Sequence, residues 1–275
     1  MLRRPAVSGS FYPSEAGEVE AMLGRFIDEA ELEFKVSHPK AFVAPHAGYI
    51  YSGYVAAYAY KALRDYSYKN KIDTFVVIGP NHYGTSKFAT VSLADWETPL
   101  GLAENDIEMS KEIASFSSKF STNENEEAQE HSVEVQIPFL QFLFKNPMFC
   151  FICMSNQSLG ASKIVCDAVL HAGRKSNRKI MVIASSDFNH YESASVAKVK
   201  DGPELDAIEK LDEKKLYSAL QETGDTACGF GPISAAIQYA KAEGASKGIL
   251  LRYGNSGDVT NDYGSVVAYA GIAFE

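Results

Sequence analysis

The sequence lacks the signature motifs of several large enzyme classes. It contains no G-x-x-x-x-G-K-[ST] phosphate loop, no G-x-S-x-G and no H-E-x-x-H. These motifs bind nucleotide phosphates, present a serine nucleophile and hold a zinc ion on a helix, respectively. Their absence makes nucleotide hydrolysis and serine esterase chemistry of the usual kind poor explanations for this chain.

Long apolar runs and an excess of basic residues are also missing. No run reaches the roughly 18 apolar residues that a membrane-spanning helix needs, and the stretch MLRRPAVSGSFYP has no long apolar core typical of a signal peptide. The formal net charge is −9, which disfavours nucleic acid and anionic membranes as partners because both reward basic patches. We therefore expect a cytoplasmic protein that binds neither.

Cysteine is scarce in this chain. Four cysteines in 275 residues do not make a disulfide framework. Cys150 and Cys153 form a C-x-x-C, but they lie in the strand-like run FCFICM, whose alternation predicts that the two thiols point to opposite faces. No second C-x-x-C completes a zinc site, so we interpret both residues as buried core cysteines.

Strand-like and helix-like segments alternate along the chain. Runs such as TFVVIGP and MFCFICM are typical of buried strands, and GYIYSGYVAAYAYKALRDY repeats apolar residues at helical spacing. Residues 203–222 are predicted to be helical in two pieces, and the acidic stretch TNENEEAQEHS is expected to be a surface loop. This order predicts one α/β domain over residues 1–275, with a mixed, mostly parallel central sheet flanked by helices.

Three of the apolar runs break into a turn that carries a histidine. His46 follows in AFVAPHAGY, His82 in TFVVIGPNHYG and His190 in MVIASSDFNHY. Chemistry in α/β proteins gathers in the loops at the carboxyl ends of the strands. If these strands are parallel neighbours, the three imidazoles meet in one crevice, whereas a single histidine at a strand end is more often only a hydrogen-bonded turn residue.

Three further residues are candidates for chemistry. Asp187 lies three residues before His190, where a carboxylate can fix the tautomer of the imidazole, although it can equally cap its own turn. Cys228 in ACGFGP precedes a predicted helix, whose amide dipoles favour a thiolate, although free cysteine is often simply buried. His131 in QEHSVEVQIPF stands at the start of another predicted helix, where it could also be only a neighbour of the N-cap.

The residue types suggest an open metal site. Two imidazoles with a carboxylate form the facial triad of non-haem iron enzymes, whereas a thiolate in place of the carboxylate favours copper(I), zinc or thiolate-bound iron. Residues that do not bind the metal would then act as hydrogen-bonding supports or as acid–base groups.

The chain resembles the Memo family, named for a mediator of receptor-driven cell motility. The matching stretches occur in order between residue 3 and about residue 258: RRPAVSGSFYP, APHAGYIYSG, VIGPNHYG, EHSVEVQIPFLQ, SSDFNHY, ACGFGP and YGNSGDV. The resemblance implies the fold of the class III extradiol (LigB-type) dioxygenases, which hold Fe(II) with two histidines and one glutamate.

The resemblance also implies roles for individual residues. His46 and His82 match the two histidine ligands, and Cys228 takes the place of the dioxygenase glutamate. His190 matches the acid–base histidine, with Asp187 beside it, and His131 matches a further active-site histidine. The family implies iron or copper as the cofactor and a functional link to AMMECR1-type and radical-SAM proteins. A thiolate in place of the carboxylate changes the potential of iron and exposes the sulfur to oxidation, so the fold alone does not imply ring cleavage.

Three functions follow as hypotheses. The first is a metal-dependent oxidoreductase with an unknown small-molecule substrate, with metal on His46, His82 and Cys228 and with His190, Asp187 and His131 as catalytic residues. The second is a non-catalytic module that binds a peptide or a small ligand on a dioxygenase-like fold. The third is a metal-free hydrolase or transferase in which Cys228 is the nucleophile and His190 or His82 is its base.

Overall fold

Twelve strands of one mixed sheet are present in the computed structural model, which describes residues 1–33, 35–84 and 86–275. The strands are β1 (Leu2–Arg3), β2 (Ala41–Ala44), β3 (Thr74–Pro80), β4 (Ala89–Val91), β5 (Asp95–Thr98), β6 (Gly101–Asn105), β7 (Phe120–Ser121), β8 (Met148–Met154), β9 (Ile180–Ser185), β10 (His190–Glu192), β11 (Gly248–Asn255) and β12 (Val266–Phe274).

Helices connect most of these strands. They are α1 (Ala16–Glu29), α2 (Tyr49–Ser67), α3 (Ile107–Ser115), α4 (Ile137–Leu143), α5 (Leu159–Ser176), α6 (Ala194–Glu209), α7 (Glu213–Thr223), α8 (Phe230–Ala242) and α9 (Gly257–Thr260), with short 3₁₀ turns at Glu124–Glu126 and Glu134–Gln136. None of the helices within the described ranges is long and apolar enough to cross a membrane.

The centre of the sheet is parallel, and antiparallel pairs join it to the strands on both sides. Strands β6, β8, β3, β9 and β2 run parallel in that spatial order. Strand β12 pairs antiparallel with β2, and β10 and β11 both pair antiparallel with β12. The predicted α/β fold with a mixed, mostly parallel sheet is therefore confirmed.

Each face of the sheet packs against its own layer of helices. In β8, Cys150 and Ile152 point into the core shared with α3, α5 and α8. Phe151 and Cys153 point into the opposite core, shared with α1, α2 and α4. Both cysteines are free and buried, so the prediction of two core thiols on opposite faces is confirmed.

The helical region after β10 starts earlier than predicted. Helix α6 begins at Ala194, well before residue 203, because the Ser193 side chain caps it by accepting a hydrogen bond from the Val196 amide. Pro203 lies inside this helix rather than at its start. The predicted division into two helical pieces is confirmed by the separate helices α6 and α7.

The order of the central strands positions the candidate site. Strands β3, β9 and β2 are parallel neighbours, so their carboxyl ends meet at one edge of the sheet. His82 follows β3, Asp187 follows β9 and His46 follows β2. The predicted parallel order of these strands is thus confirmed. His190, predicted to meet His46 and His82, instead begins β10, and His131 is the third imidazole of the group.

Candidate metal centre

His46 is held rigidly at the end of β2. Its side chain is 2% exposed, and its Nδ1 lies 2.9 Å from the Ser185 hydroxyl at the end of β9. Its backbone amide donates to Asp187 Oδ1 at 2.8 Å. The Nδ1 contact fixes the ring so that Nε2 is the nitrogen that faces Cys228, whose Sγ lies 3.2 Å away.

Glu130 fixes both of the other central imidazoles. Its Oε1 accepts hydrogen bonds from the backbone amides of His131 and Ser132, at 2.8 and 2.7 Å. His82 Nδ1 lies 3.0 Å from the same oxygen, and the His82 backbone amide donates to Oε2. One fully buried carboxylate therefore sets the position of two histidines.

Three imidazoles meet at the sheet edge. One ligand atom from each of His46, His82 and His131 lies within 4.8 Å of the others. The rings of His82 and His131 are stacked at a centroid distance of 4.6 Å, and the His46 ring meets both edge-on, at 5.2 and 5.4 Å. This spacing is small enough for one metal ion to contact all three residues.

The pKa values of His46 and His131 favour the neutral imidazole, whereas that of His82 favours the protonated form. Burial, with His131, His82 and His190 nearby, holds the pKa of His46 well below its ordinary value, and burial lowers the pKa of His131 to about 4. Burial also acts against a charged His82, but the hydrogen bond and charge of Glu130 raise the pKa of His82. Neutral imidazole is the form that binds metal, so His46 and His131 are ready to bind an ion and His82 must lose its proton to do so.

The Nδ1 atom of His131 gives a second indication that the three imidazoles can bind a metal ion. Its Nδ1 is buried, lies 3.5 Å from Glu130 Oε1, and makes no hydrogen bond within the part of the chain that the structure describes. Buried polar atoms without partners are uncommon in proteins. The donor set and this unpartnered nitrogen both fit a transition-metal ion.

Two hydrogen bonds that involve backbone atoms join Cys228 and Asp187. The Cys228 amide donates to the Asp187 carbonyl oxygen at 3.2 Å, and the Asp187 amide points at Cys228 Sγ at 3.4 Å. Burial raises the pKa of the Cys228 thiol well above its ordinary value. Without a positive partner the sulfur is therefore held as a thiol.

Glycine at position 229 allows this close approach. A Cβ on Gly229 would lie 2.3 Å from the Ser185 carbonyl oxygen and 2.6 Å from Ser186 Cβ. The Gly229 amide instead donates to the Ser186 hydroxyl at 2.9 Å. The loop that carries Cys228 can rest on β9 only because residue 229 has no side chain.

Asp187 and His190 do not form the predicted pair. Asp187 directs Oδ1 to the amides of His46 and Ala47, and no hydrogen bond joins its carboxylate to His190 in the described ranges. His190 is half-buried, and its amide donates to Thr226 Oγ1 at 2.8 Å. The Asp187 side chain thus fixes the His46 turn, and its own pKa is raised to about 6 by burial.

Comparisons with known proteins identify the family. A family model described as "Memo-like protein" matches residues 3–273. The chain belongs to the Memo family. A protein of Nitrosopumilus maritimus named "MEMO1 family protein" is 41% identical over 286 residues that span both chains completely. A Methanosarcina acetivorans protein with the same name is 39% identical over 275 residues, covering all of this chain and 99% of its own.

The sequence interpretation missed two residues that support the histidines of this Memo site, Glu130 and Ser185. Glu130 was placed in a predicted surface loop, but it is fully buried, as is Glu127. Arg3 donates to the backbone carbonyls of both residues and pairs with Glu134 at 3.3 Å, so the N-terminal strand covers this segment. Ser185, the support of His46, is an ordinary polar residue at the end of a strand and gave no signal.

Proposed function

We propose that this Memo-family protein is a metal-dependent oxidoreductase that holds one iron or copper ion through His46, His82 and His131. The thiol of Cys228, 3.2 Å from His46 Nε2, joins as a further ligand. The observation that carries this proposal is the convergence of three imidazole ligand atoms within 4.8 Å of one another. Imidazole suits iron, copper and zinc, and a thiolate shifts the preference towards copper(I) or thiolate-bound iron.

Cys228 gives the proposed site its pH and metal dependence. The thiol has a raised pKa in the protein alone, because burial disfavours its charged form. A bound cation reverses this balance, since a coordinating thiol is deprotonated outright. Metal binding through Cys228 should therefore release one proton more than binding through the imidazoles alone, where His82, whose pKa is raised, is the residue with a proton to lose.

The remaining residues provide acid–base and positioning functions in this proposal. A bound iron or copper ion supplies electron transfer. His190, half-buried beside the cluster, gives and takes the proton of a small-molecule substrate, and Asp187 keeps the His46 turn in place through two amide hydrogen bonds. The link to AMMECR1-type and radical-SAM proteins and the cytoplasmic location stay predictions from the resemblance and the sequence.

The test is a metal titration of untagged protein under anaerobic conditions. Iron(II) and copper(I) are titrated into wild type, His46→Ala and Cys228→Ser, with His171→Ala as the matched control. His171 is an exposed histidine that pairs with Glu112 away from the cluster. We expect His46→Ala to lose binding and His171→Ala to match wild type. Cys228→Ser should lose the thiolate-to-metal absorption band and release one proton fewer than wild type. Equal binding by His46→Ala and His171→Ala would refute the proposal.

One contact favours a second candidate function. The 3.2 Å distance between Cys228 Sγ and His46 Nε2 is also suited to a metal-free cysteine nucleophile with a histidine base. The raised pKa of the thiol and the lowered pKa of His46 both oppose an ion pair between them. Alkylation of metal-free protein at neutral pH separates the two functions: fast modification of Cys228 supports the nucleophile, and slow modification removes it.

A further inference from the structure

A second group of buried acidic side chains lies below the loops that carry His190 and Cys228. Asp201 and Glu204 project from α6 and are fully buried, as is Asn189 in the turn after β9. Asp225 lies in the loop between α7 and α8, three residues before Cys228. This acidic cluster (Asn189, Asp201, Glu204 and Asp225) is separate from the three imidazoles.

Hydrogen bonds join three members of the acidic cluster. The Asn189 amide donates to Asp201 Oδ1 at 3.1 Å, and Asn189 Nδ2 donates to Asp225 Oδ1 at 3.3 Å. The Tyr253 hydroxyl donates to Asp201 Oδ2. These contacts use only part of the capacity of the oxygens to accept hydrogen bonds.

Four oxygens of the cluster remain without a donor. They are both carboxylate oxygens of Glu204, Asp225 Oδ2 and Asn189 Oδ1, all buried and unpartnered within the described residues. No lysine or arginine of the described ranges pairs with Asp201, Glu204 or Asp225, and nearby Lys200 is bound to Glu192 and the Gly224 carbonyl. These four oxygens therefore require a positively charged partner that binds oxygen.

Protons alone do not meet this need. Burial raises the pKa of Asp201 to about 8 and of Glu204 to about 9, so protons can remove the charge. A protonated Glu204 would still have an O–H group without an acceptor, because neither of its oxygens has a partner within hydrogen-bond distance. A cation would satisfy both the charge and the free oxygens.

We propose that the acidic cluster is a binding site for a hard divalent cation, with Ca²⁺ as the preferred ion. Carboxylate and amide oxygens are the ligands of Ca²⁺ and Mg²⁺, and Ca²⁺ accepts irregular geometry. The carboxylates are spaced more widely than the three imidazoles, which are the group with ligand atoms within 4.8 Å among the described residues. One ion therefore contacts at most two of the three carboxylates directly; these are Glu204 and Asp225, which keep unpartnered oxygens, and water molecules link the ion to Asp201.

The proposed ion would tie three chain segments together. Asp201 and Glu204 belong to α6, Asn189 adjoins His190, and Asp225 precedes the loop of Cys228. The His190 amide already bonds to Thr226, next to Asp225, at 2.8 Å. The ion would therefore hold His190 and Cys228 in place without touching the imidazole cluster.

The experiment measures calcium binding and thermal stability together. Full-length protein is freed of metal with a chelator and titrated with Ca²⁺, Mg²⁺ and Mn²⁺, followed by calorimetry and by thermal unfolding. The variants are Glu204→Gln and Asp225→Asn, with Glu222→Gln as the control, because Glu222 is an exposed glutamate of the neighbouring helix α7.

We expect Ca²⁺ to raise the unfolding temperature of wild type and of Glu222→Gln equally. In Glu204→Gln and Asp225→Asn, calcium affinity should fall at least about tenfold, as expected when one charged ligand is removed. If Glu204→Gln does not fold, Asp225→Asn alone decides the outcome. The proposal is overturned if none of the three ions shifts wild type at millimolar concentration, or if all variants respond like wild type. A negative result would not count against the proposed metal site on the imidazoles, because Ca²⁺ prefers oxygen ligands to imidazole.

Discussion

Replacement of Glu130 by glutamine tests how the imidazole cluster is held together. Glu130 accepts four hydrogen bonds: from Nδ1 and the amide of His82, and from the amides of His131 and Ser132. Glutamine keeps the size of the side chain but replaces one acceptor oxygen with an NH₂ group. Both carboxylate oxygens accept from N–H donors, so in either orientation of the amide its NH₂ group would face a donor from which it cannot accept a hydrogen bond.

The size of the effect follows from these contacts. Hydrogen bonds to a charged group contribute roughly 1.5–3 kcal/mol, and a buried donor left without a partner costs about 1–3 kcal/mol. We therefore expect Glu130→Gln to lower the free energy of unfolding by about 2–4 kcal/mol. Loss of a carboxylate that orients a metal-binding histidine typically lowers metal affinity by roughly 10–100-fold, and we expect a loss in that range for iron and copper.

Glu134→Gln is the matched control. Glu134 is an equally buried carboxylate of the same segment, and it accepts hydrogen bonds from the amides of Ala6 and Val7 and from the Tyr12 hydroxyl. It anchors the N-terminal segment instead of the imidazoles. Glu134→Gln should cost a similar free energy of unfolding and leave metal affinity unchanged.

Urea unfolding and chelator competition provide the two measurements for both variants. The reasoning is wrong if Glu130→Gln and Glu134→Gln lose metal affinity to the same extent, because the loss would then reflect general destabilisation. It is also wrong if Glu130→Gln binds metal as tightly as wild type.

Three further predictions concern other parts of the fold. Gly229→Ala would place a methyl group 2.3 Å from a carbonyl oxygen of β9 and should cost about 1–3 kcal/mol in urea unfolding, whereas Gly160→Ala, with open space around it, should be near neutral. Burial raises the pKa of Glu127 from 4.5 to about 8, so its neutral form stabilises the fold and that contribution falls as pH rises through this range. Glu127→Gln should therefore gain stability over wild type by a few kcal/mol (~2–4) at pH 8 and little at pH 4, and an equal difference at both pH values would contradict this. In native metal-free protein, iodoacetamide should modify half-buried Cys228 slowly, at a rate that increases with pH, and should modify buried Cys166 only after unfolding. Mass spectrometry of the alkylated peptides measures both rates.

The sequence predicted those parts of the fold that depend on local apolar pattern. Strands β3 and β8 occupy the segments TFVVIGP and MFCFICM, because a strand buried on both faces is apolar throughout. The short strands β1 and β7 were not predicted, since two residues carry no periodicity.

Strand order explains only part of the candidate site, because His131 and Cys228 were candidates by residue type and by their positions before predicted helices. His46 and His82 follow β2 and β3, which are parallel strands on either side of β9, so the strand order brings the two residues to the same edge of the sheet. Glu130 and Glu127 lie in an acidic stretch that has the composition of a surface loop, and contacts of Arg3, far away in the sequence, bury them. No local pattern reports such a long-range contact, which is why the support of His82 and His131 could not be foreseen.

The candidate ligands come from four distant points of the chain. His46, His82, His131 and Cys228 approach one another only when the strands and loops are in place. An unfolded chain holds no preassembled site, so metal binding and folding are thermodynamically linked. Each tenfold excess of metal over its dissociation constant should add about 1.4 kcal/mol to the free energy of unfolding. The unfolding temperature of this protein should therefore vary with the free concentration of the metal that it binds.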